Sequence, residues 1–116
     1  MNKSFEITQT QFGNFLINEY DLIGGFILHH KTWEPHLCEF YFNILTKEDI
    51  CIDARANLGF HTIQFGRLSK KAYAFEPQSL IYNQLCANVL FNDLDNSFWF
   101  KFVLHGVVEM TSKIGM

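Results

Sequence analysis

Proline and glycine are scarce in this sequence, and repeats and low-complexity tracts are missing. Two prolines and seven glycines occur among the 116 residues. Because linkers between domains are rich in such residues, nothing marks a domain boundary, and one hydrophobic core is the simplest interpretation. Thirteen phenylalanines and a hydrophobic content of 48% provide the material for that core.

Long apolar runs and an excess of positive charge are also missing. No apolar run approaches the ~18 residues that a membrane span needs, and residues 1–13 lack the basic, apolar and small-residue order of a secretory signal. The net charge is −3, and the nine Lys and Arg are scattered, without the basic stripe that neutralises a phosphate backbone. We therefore expect a cytoplasmic protein with no membrane partner and no nucleic-acid partner.

Cysteine is too sparse for a disulfide framework. The three cysteines are odd in number, lie far apart and sit in apolar stretches, which favours free thiols in a reducing compartment. His29, His30 and His36 lie near Cys38 in the sequence, but their spacing is not that of a zinc site. We expect no metal site.

The first third of the chain combines weak alternation with one helical period. Residues 1–21 alternate weakly, and residues 22–30 place apolar side chains around a glycine pair, which predicts a short strand or hairpin in this segment. From Thr32 the period changes and predicts a helix, capped by Thr32 and with Pro35 in its first turn. Its predicted core face consists of Leu37, Phe40, Tyr41 and Ile44.

The rest of the chain alternates strands with helices. A strand at 50–52 enters Asp53, a loop covers residues 54–59, and a helix follows at 60–68. A second strand at 72–75 ends at Glu76, a second helix carries Ile81, Leu85 and Val89 on one face, and a third strand covers 98–104. Such alternation predicts βαβ units with parallel strands and right-handed crossovers. The predicted class is α/β, with about three parallel strands and flanking helices.

Two acidic residues lie where a ligand would bind in such a sheet. Asp53 and Glu76 end the first and second parallel strands, and ligands bind outside the carboxyl ends of these strands. Their separation is close to the ~20 residues at which an acidic side chain reaches the hydroxyls of a bound ribose. The glycine fingerprint for a pyrophosphate is absent, which disfavours a nicotinamide-dependent oxidoreductase.

The motifs around these acids resemble one known family. The first loop reads Asp53-Ala54-Arg55-Ala56-Asn57-Leu58-Gly59, the second strand ends Phe75-Glu76-Pro77, and the next helix carries Asn88 and Asn92. In order and spacing they resemble the FkbM-type S-adenosylmethionine-dependent methyltransferases, whose motifs run Asp-x-Gly-Ala-Asn-x-Gly and Phe-Glu-Pro. The resemblance spans roughly residues 33–96 and covers the N-terminal half of that domain.

The resemblance implies a fold, a cofactor and an acceptor. The fold would be a truncated Rossmann-like methyltransferase domain at 32–116, preceded by a strand or hairpin segment at 1–31. The cofactor would be S-adenosylmethionine, with Glu76 binding its ribose and the first loop shaping the pocket for its methionine part. The acceptor would be a hydroxyl of a small molecule or glycan. The implied cofactor-binding residues are Asp53, Ala54, Ala56, Asn57, Gly59, Glu76 and Pro77.

The sequence departs from the family pattern in two places. Arg55 replaces the glycine of the first motif. A side chain at a position chosen for close approach or for positive φ costs about 1 kcal/mol or more, and a cation beside a sulfonium should weaken cofactor binding. After Leu104 nothing matches the family's acidic segment, so no catalytic base is assigned. The alternative is an inactive remnant that pairs with another chain, or with itself, through the exposed edge of strand 50–52.

Four polar residues have structural roles in this interpretation. Asn57 is predicted to hold a left-handed turn, which is compatible with lining the pocket. His61, directly after the loop, is predicted to be exposed in the first turn of its helix. Asn88 and Asn92 are predicted to be helix-end and turn residues rather than ligands.

Overall fold

The computed structural model describes residues 2–101, which form a β-hairpin, four helices and a three-stranded parallel sheet. The predicted α/β class with three parallel strands is confirmed. The end of the predicted third strand and residues 105–116 lie outside the described residues. In chain order the elements are β1 (Phe5–Thr10), β2 (Gly13–Asn18), α1 (Leu22–His30), α2 (Pro35–Ile44), β3 (Ile50–Asp53), α3 (Phe60–Leu68), β4 (Lys71–Phe75), α4 (Ser79–Phe91) and β5 (Ser97–Phe100).

The parallel sheet has the order β3-β4-β5, with β3 at one edge. Ala72 and Ala74 of β4 are fully buried, and α3 packs against this strand. Ile50 and Ile52 alternate to the opposite face and are 58% and 62% exposed. Within residues 2–101, β3 pairs with β4 alone.

Residues 22–30 form α1, so the strand or hairpin predicted for them is wrong. The Asp21 carboxylate caps the helix by accepting from the Gly24 N–H at 3.1 Å. The glycine pair is needed because α1 turns back tightly against the end of β2. A Cβ on Gly24 would lie 2.5 Å from the Asn18 carbonyl oxygen, and one on Gly25 would lie 2.8 Å from that of Glu19.

The helix predicted after Thr32 is confirmed as α2, but its cap and part of its core face are wrong. Glu34 precedes the first residue with φ 50°, and no side chain caps the helix. Leu37 and Tyr41 are half-buried as predicted, whereas Phe40 and Ile44 are 53% and 50% exposed. The buried face is displaced because α2 packs against α3, and Cys38 is its buried residue.

One hydrophobic core joins the hairpin to the sheet and helices. It consists of buried residues from β2 and from all four helices, together with Ala56 and Leu58 of the loop after β3 and Ala74 of β4. The predicted apolar stripe of α4 is confirmed, since Ile81, Leu85 and Val89 are buried. No helix in the described part of the chain is both long and apolar enough to cross a membrane.

Asn88 of α4 and Asn92, directly after this helix, bind the hairpin through their side chains. Asn88 is fully buried; its side chain accepts from the Leu16 N–H at 2.7 Å and donates to the carbonyls of Leu16 and Leu58 at 3.3 and 2.8 Å. The Asn92 side chain accepts from the Asn14 N–H at 3.1 Å and donates to its carbonyl at 2.9 Å. Asn92 ends the helix as predicted, whereas Asn88 lies inside it and satisfies backbone groups of β2 as a neighbouring strand would.

Candidate functional site

The loops that follow β3 and β4 enclose a cleft of about 600 Å³ at the carboxyl end of the sheet. Small-molecule sites typically measure about 300 to 1,000 Å³. Four predicted site residues line the cleft, namely Ala54, Asn57, Glu76 and Pro77, whereas Asp53, Ala56 and Gly59 do not. The remaining lining residues are Ile23, Arg55 and Gln78.

Glu76 is the buried acid of the cleft and ties its two walls together. It is 5% exposed. Its Oε1 accepts from the Asn57 N–H at 2.8 Å, and its Oε2 accepts from the Gln78 N–H at 3.0 Å. Each carboxylate oxygen can accept two hydrogen bonds, so both keep the capacity to accept from a ligand hydroxyl. The carboxylate is thus a fixed acceptor on the cleft wall.

The β3–α3 loop (residues 54–59) owes its shape to two residues with positive φ. Asn57 has φ 54° and Gly59 has φ 100°, and this confirms the predicted left-handed turn at Asn57. The Ala56 N–H donates to the Phe75 carbonyl at 3.0 Å, which fixes the loop to the end of β4. A Cβ on Gly59 would lie 2.9 Å from Leu85 Cδ1 of α4. Ala56 and Gly59 therefore shape the loop from behind the cleft.

Asp53 does not line the cleft and instead contacts α3. Its Oδ2 accepts from the Thr62 hydroxyl at 2.8 Å, which connects the end of β3 to the first turn of α3. Burial raises the pKa of Asp53, while the bond from Thr62 and the nearby His61 oppose this rise. A carboxylate at a helix N-terminus also interacts favourably with the helix dipole. Its contacts assign Asp53 to the support of the loop.

His61 is half-buried, and the prediction that it is exposed is wrong. Its side chain is 17% exposed, and its Nε2 lies 2.8 Å from Glu34 Oε1. Its ring contacts the Tyr41 ring edge-on, with 5.2 Å between the ring centroids. Its buried Nδ1 has no hydrogen-bond partner in the described part of the chain. Burial and the charge of Asp53 raise the pKa of Tyr41 to about 12. These side chains link α2 to the start of α3.

Arg55 lies on the cleft wall in an ordinary backbone conformation. It is exposed, lines the cleft and is not among the described residues with positive φ, so the predicted backbone cost of replacing glycine is wrong. Its guanidinium forms no ion pair with any carboxylate of residues 2–101. The cleft therefore has a buried anion and an unpaired cation on its walls.

Comparison with known proteins identifies the fold. No family model and no curated protein sequence matches this chain. A rRNA methylase from Streptococcus thermophilus is 25% identical, with a TM-score of 0.56, covering 62% of this chain and 44% of its own. TYW2 from M. jannaschii, solved with AdoMet, is 20% identical, with a TM-score of 0.67, covering 86% of this chain and 44% of its own. This chain has the Rossmann-like methyltransferase fold.

A third structure of the methyltransferase fold was solved with a ligand. A Streptococcus mutans protein assigned as a methyltransferase, in complex with SAH, is 25% identical, with a TM-score of 0.56, covering 62% of this chain and 42% of its own. The chain spans less than half the length of each of these three structures.

Two cleft residues were missed by sequence reasoning. Ile23 belongs to α1, and the strand predicted for residues 22–30 concealed it. Asp21 three residues before Gly24 was the available signal, because an acidic N-cap at that spacing favours a helix. Gln78 directly precedes α4, and its position after Pro77 was the signal for a loop residue near the strand end.

No group of three or more metal-ligating side chains occurs within residues 2–101.

Proposed function

We propose that the cleft binds S-adenosylmethionine or its demethylated product, and that this chain supplies the cofactor-binding part of a methyltransferase. The observation that carries the proposal is the buried Glu76 carboxylate, held by two backbone N–H groups on the wall of a cleft at the carboxyl ends of β3 and β4. Solved structures of the same fold that contain AdoMet and SAH support it.

The cleft fits a nucleoside in size and in chemistry. Its volume of about 600 Å³ suits a molecule of this class. Glu76 would accept from the ribose hydroxyls, and hydrogen bonds to a charged group are about twice as strong as neutral ones. Ala54, Asn57 and Pro77 would contact the ligand from the two loops, while Asp53, Ala56 and Gly59 would hold the loop in shape. When bound, the cofactor supplies a methyl group to an acceptor.

The methyl acceptor follows from the motif resemblance alone. We infer a hydroxyl of a small molecule or glycan as acceptor, as in the FkbM-type enzymes that the motifs resemble. Of the residues that line the cleft, Glu76 alone has a carboxylate, and it is the ribose ligand in this proposal. We infer that the group that accepts the hydroxyl proton lies outside residues 2–101.

Calorimetry with S-adenosylhomocysteine tests the nucleoside site. We expect Glu76→Gln to weaken binding about 10- to 100-fold, because hydrogen bonds to charged groups contribute about 1.5 to 3 kcal/mol. Glu48→Gln is the matched control, since it removes the same charge from an exposed residue that precedes β3, at the opposite end of the sheet. Circular dichroism checks that the loops remain folded without the carboxylate. Equal affinity in Glu76→Gln and the wild type would refute the ribose role.

A second function is favoured by the uncovered edge of the sheet. We propose that β3 pairs with a second copy of the chain, because Ile50 and Ile52 are largely exposed and β3 has a partner on one side only within the described range. This pairing is compatible with nucleoside binding, since Ile50 and Ile52 do not line the cleft.

A further inference from the structure

Two opposite charges line the same cleft without pairing. Glu76 is buried and fixed by the N–H groups of Asn57 and Gln78. Arg55 is exposed, lies on the wall formed by the β3–α3 loop, and has no carboxylate partner within residues 2–101. A ligand that spans the cleft therefore meets a hydrogen-bond acceptor at one wall and a free guanidinium at the other.

A guanidinium and a carboxylate select different groups of a ligand. The fixed carboxylate accepts from hydroxyls, as on a ribose. The guanidinium presents planar paired donors that match a carboxylate or a phosphate, and it remains charged at all physiological pH values. A nucleoside with an anionic substituent on its 5′ side presents both groups.

We propose that Arg55 makes the cleft selective for nucleosides that carry an anionic group, carboxylate or phosphate, on the 5′ arm. The inference rests on the proposed nucleoside site and adds the charge that this site prefers. A second consequence concerns the cofactor itself. S-adenosylmethionine carries a sulfonium that S-adenosylhomocysteine lacks, and Arg55 repels this charge. The cleft should therefore bind the demethylated product more tightly than the methyl donor.

The backbone supports a role in selection rather than strain. Because Arg55 has no positive φ, glycine is not required at this position, and Arg55→Gly should leave the loop unchanged. The loop is held by the bonds from Ala56 to Phe75 and from Asn57 to Glu76, which do not involve the arginine side chain. A change in ligand preference on substitution would then report on charge.

Titration calorimetry with four ligands tests the proposal. Adenosine is the neutral reference, adenosine 5′-monophosphate carries a phosphate, and S-adenosylhomocysteine and S-adenosylmethionine share a carboxylate but differ in the sulfonium. We expect the wild type to bind the monophosphate about tenfold more tightly than adenosine, as for a charge-assisted hydrogen bond. We also expect it to bind S-adenosylhomocysteine about tenfold more tightly than S-adenosylmethionine, because Arg55 repels the sulfonium. The preferences of the monophosphate and of S-adenosylhomocysteine over adenosine identify phosphate or carboxylate as the preferred anion, whereas the homocysteine and methionine forms together report on the sulfonium.

Variants separate charge from shape. Arg55→Gly should reduce both preferences to less than about twofold, and Arg55→Lys should retain part of each. Lys70→Gln is the matched control, since this exposed lysine precedes β4 at the opposite end of the sheet. Unchanged preferences in Arg55→Gly would overturn the inference while leaving the nucleoside site intact. If the wild type binds none of the four ligands, both the charge preference and the nucleoside site are overturned.

Discussion

The carboxyl group of Asp53 supports the β3–α3 loop, but burial makes its charged form less favourable. It accepts from Thr62, and burial raises its pKa above the ordinary value, so the folded state favours the protonated form. By linkage, a carboxyl with a raised folded pKa stabilises the fold fully below its unfolded pKa, and this contribution is lost as the pH rises through the folded pKa.

We therefore predict that the wild type becomes less stable relative to Asp53→Asn as the pH rises from about 4 towards 7, because 4 is near the pKa of an unfolded Asp. Asparagine does not titrate, so the titration of groups that do not interact with Asp53 cancels in the difference. Urea unfolding of both proteins across this range measures the two free energies of unfolding. A difference that stays constant with pH would show that the pKa of Asp53 is the same in the folded and unfolded states.

Single residues differed in how well local sequence predicted them. The left-handed turn at Asn57 was predicted because the backbone preference of a residue type is local. The environment of His61 was not, because its partner Glu34 directly precedes another helix and reaches it only after α2 packs against α3. The conformation of Arg55 was also missed, since a family preference for glycine does not fix the φ angle of an arginine.

At the scale of elements, the sequence was most informative where period and end signals agreed. The helix α3 matches its predicted bounds, because a glycine precedes it and a polar pair follows it. The glycine pair in residues 22–30 misled the prediction, since an apolar run of this length suits either a strand or a helix. Phe40 and Ile44 of α2 were predicted to be buried but are exposed. Periodicity identifies the apolar face of a helix but not which part of that face another element covers.

We predict that Asn88→Ala destabilises the protein by roughly 2 to 6 kcal/mol, because it leaves the Leu16 N–H and the Leu58 carbonyl without the bonds that Asn88 makes, at about 1 to 3 kcal/mol each. The Leu16 carbonyl keeps a partner, since Gln84 also donates to it. Asn83→Ala is the control, since Asn83 is an exposed asparagine of the same helix and should change stability by less than about 0.5 kcal/mol. Urea unfolding compares both with the wild type. Similar values for the two variants would mean that Asn88 does not hold the hairpin in place.

For the whole molecule, the sequence predicted one core and the parallel sheet but not the docking of the hairpin. Strand and helix alternation determines the βαβ arrangement through the handedness of crossovers. The hairpin is held by side-chain amides of Asn88 and Asn92, which are far from β2 in sequence. No local period encodes such contacts, and the motif resemblance marked these residues without giving their role.

The edge of β3 gives a prediction about assembly. Backbone groups on an unpaired strand edge favour pairing with another chain, and natural sheets avoid this with charges or coverings. The side chains of Ile50 and Ile52 carry no charge and are largely exposed. If the β3 strands of two copies pair about a two-fold axis, Ile52 of one copy lies near β3 of the other copy. We therefore expect reversible self-association through this strand.

Ile52→Lys should abolish the association, because the two-fold pairing would place like charges from both copies on the same face of the joined sheet. Leu90→Lys is the matched control, since Leu90 of α4 is 64% exposed, close to the 62% of Ile52, and lies away from β3. Sedimentation at increasing concentration should give a rising mass for the wild type and Leu90→Lys, and a constant monomer mass for Ile52→Lys. Dispersal by both substitutions would indicate general hydrophobic aggregation. A wild-type monomer with slowly exchanging β3 amides would instead show that the chain covers its own edge, because amides on an open edge exchange rapidly.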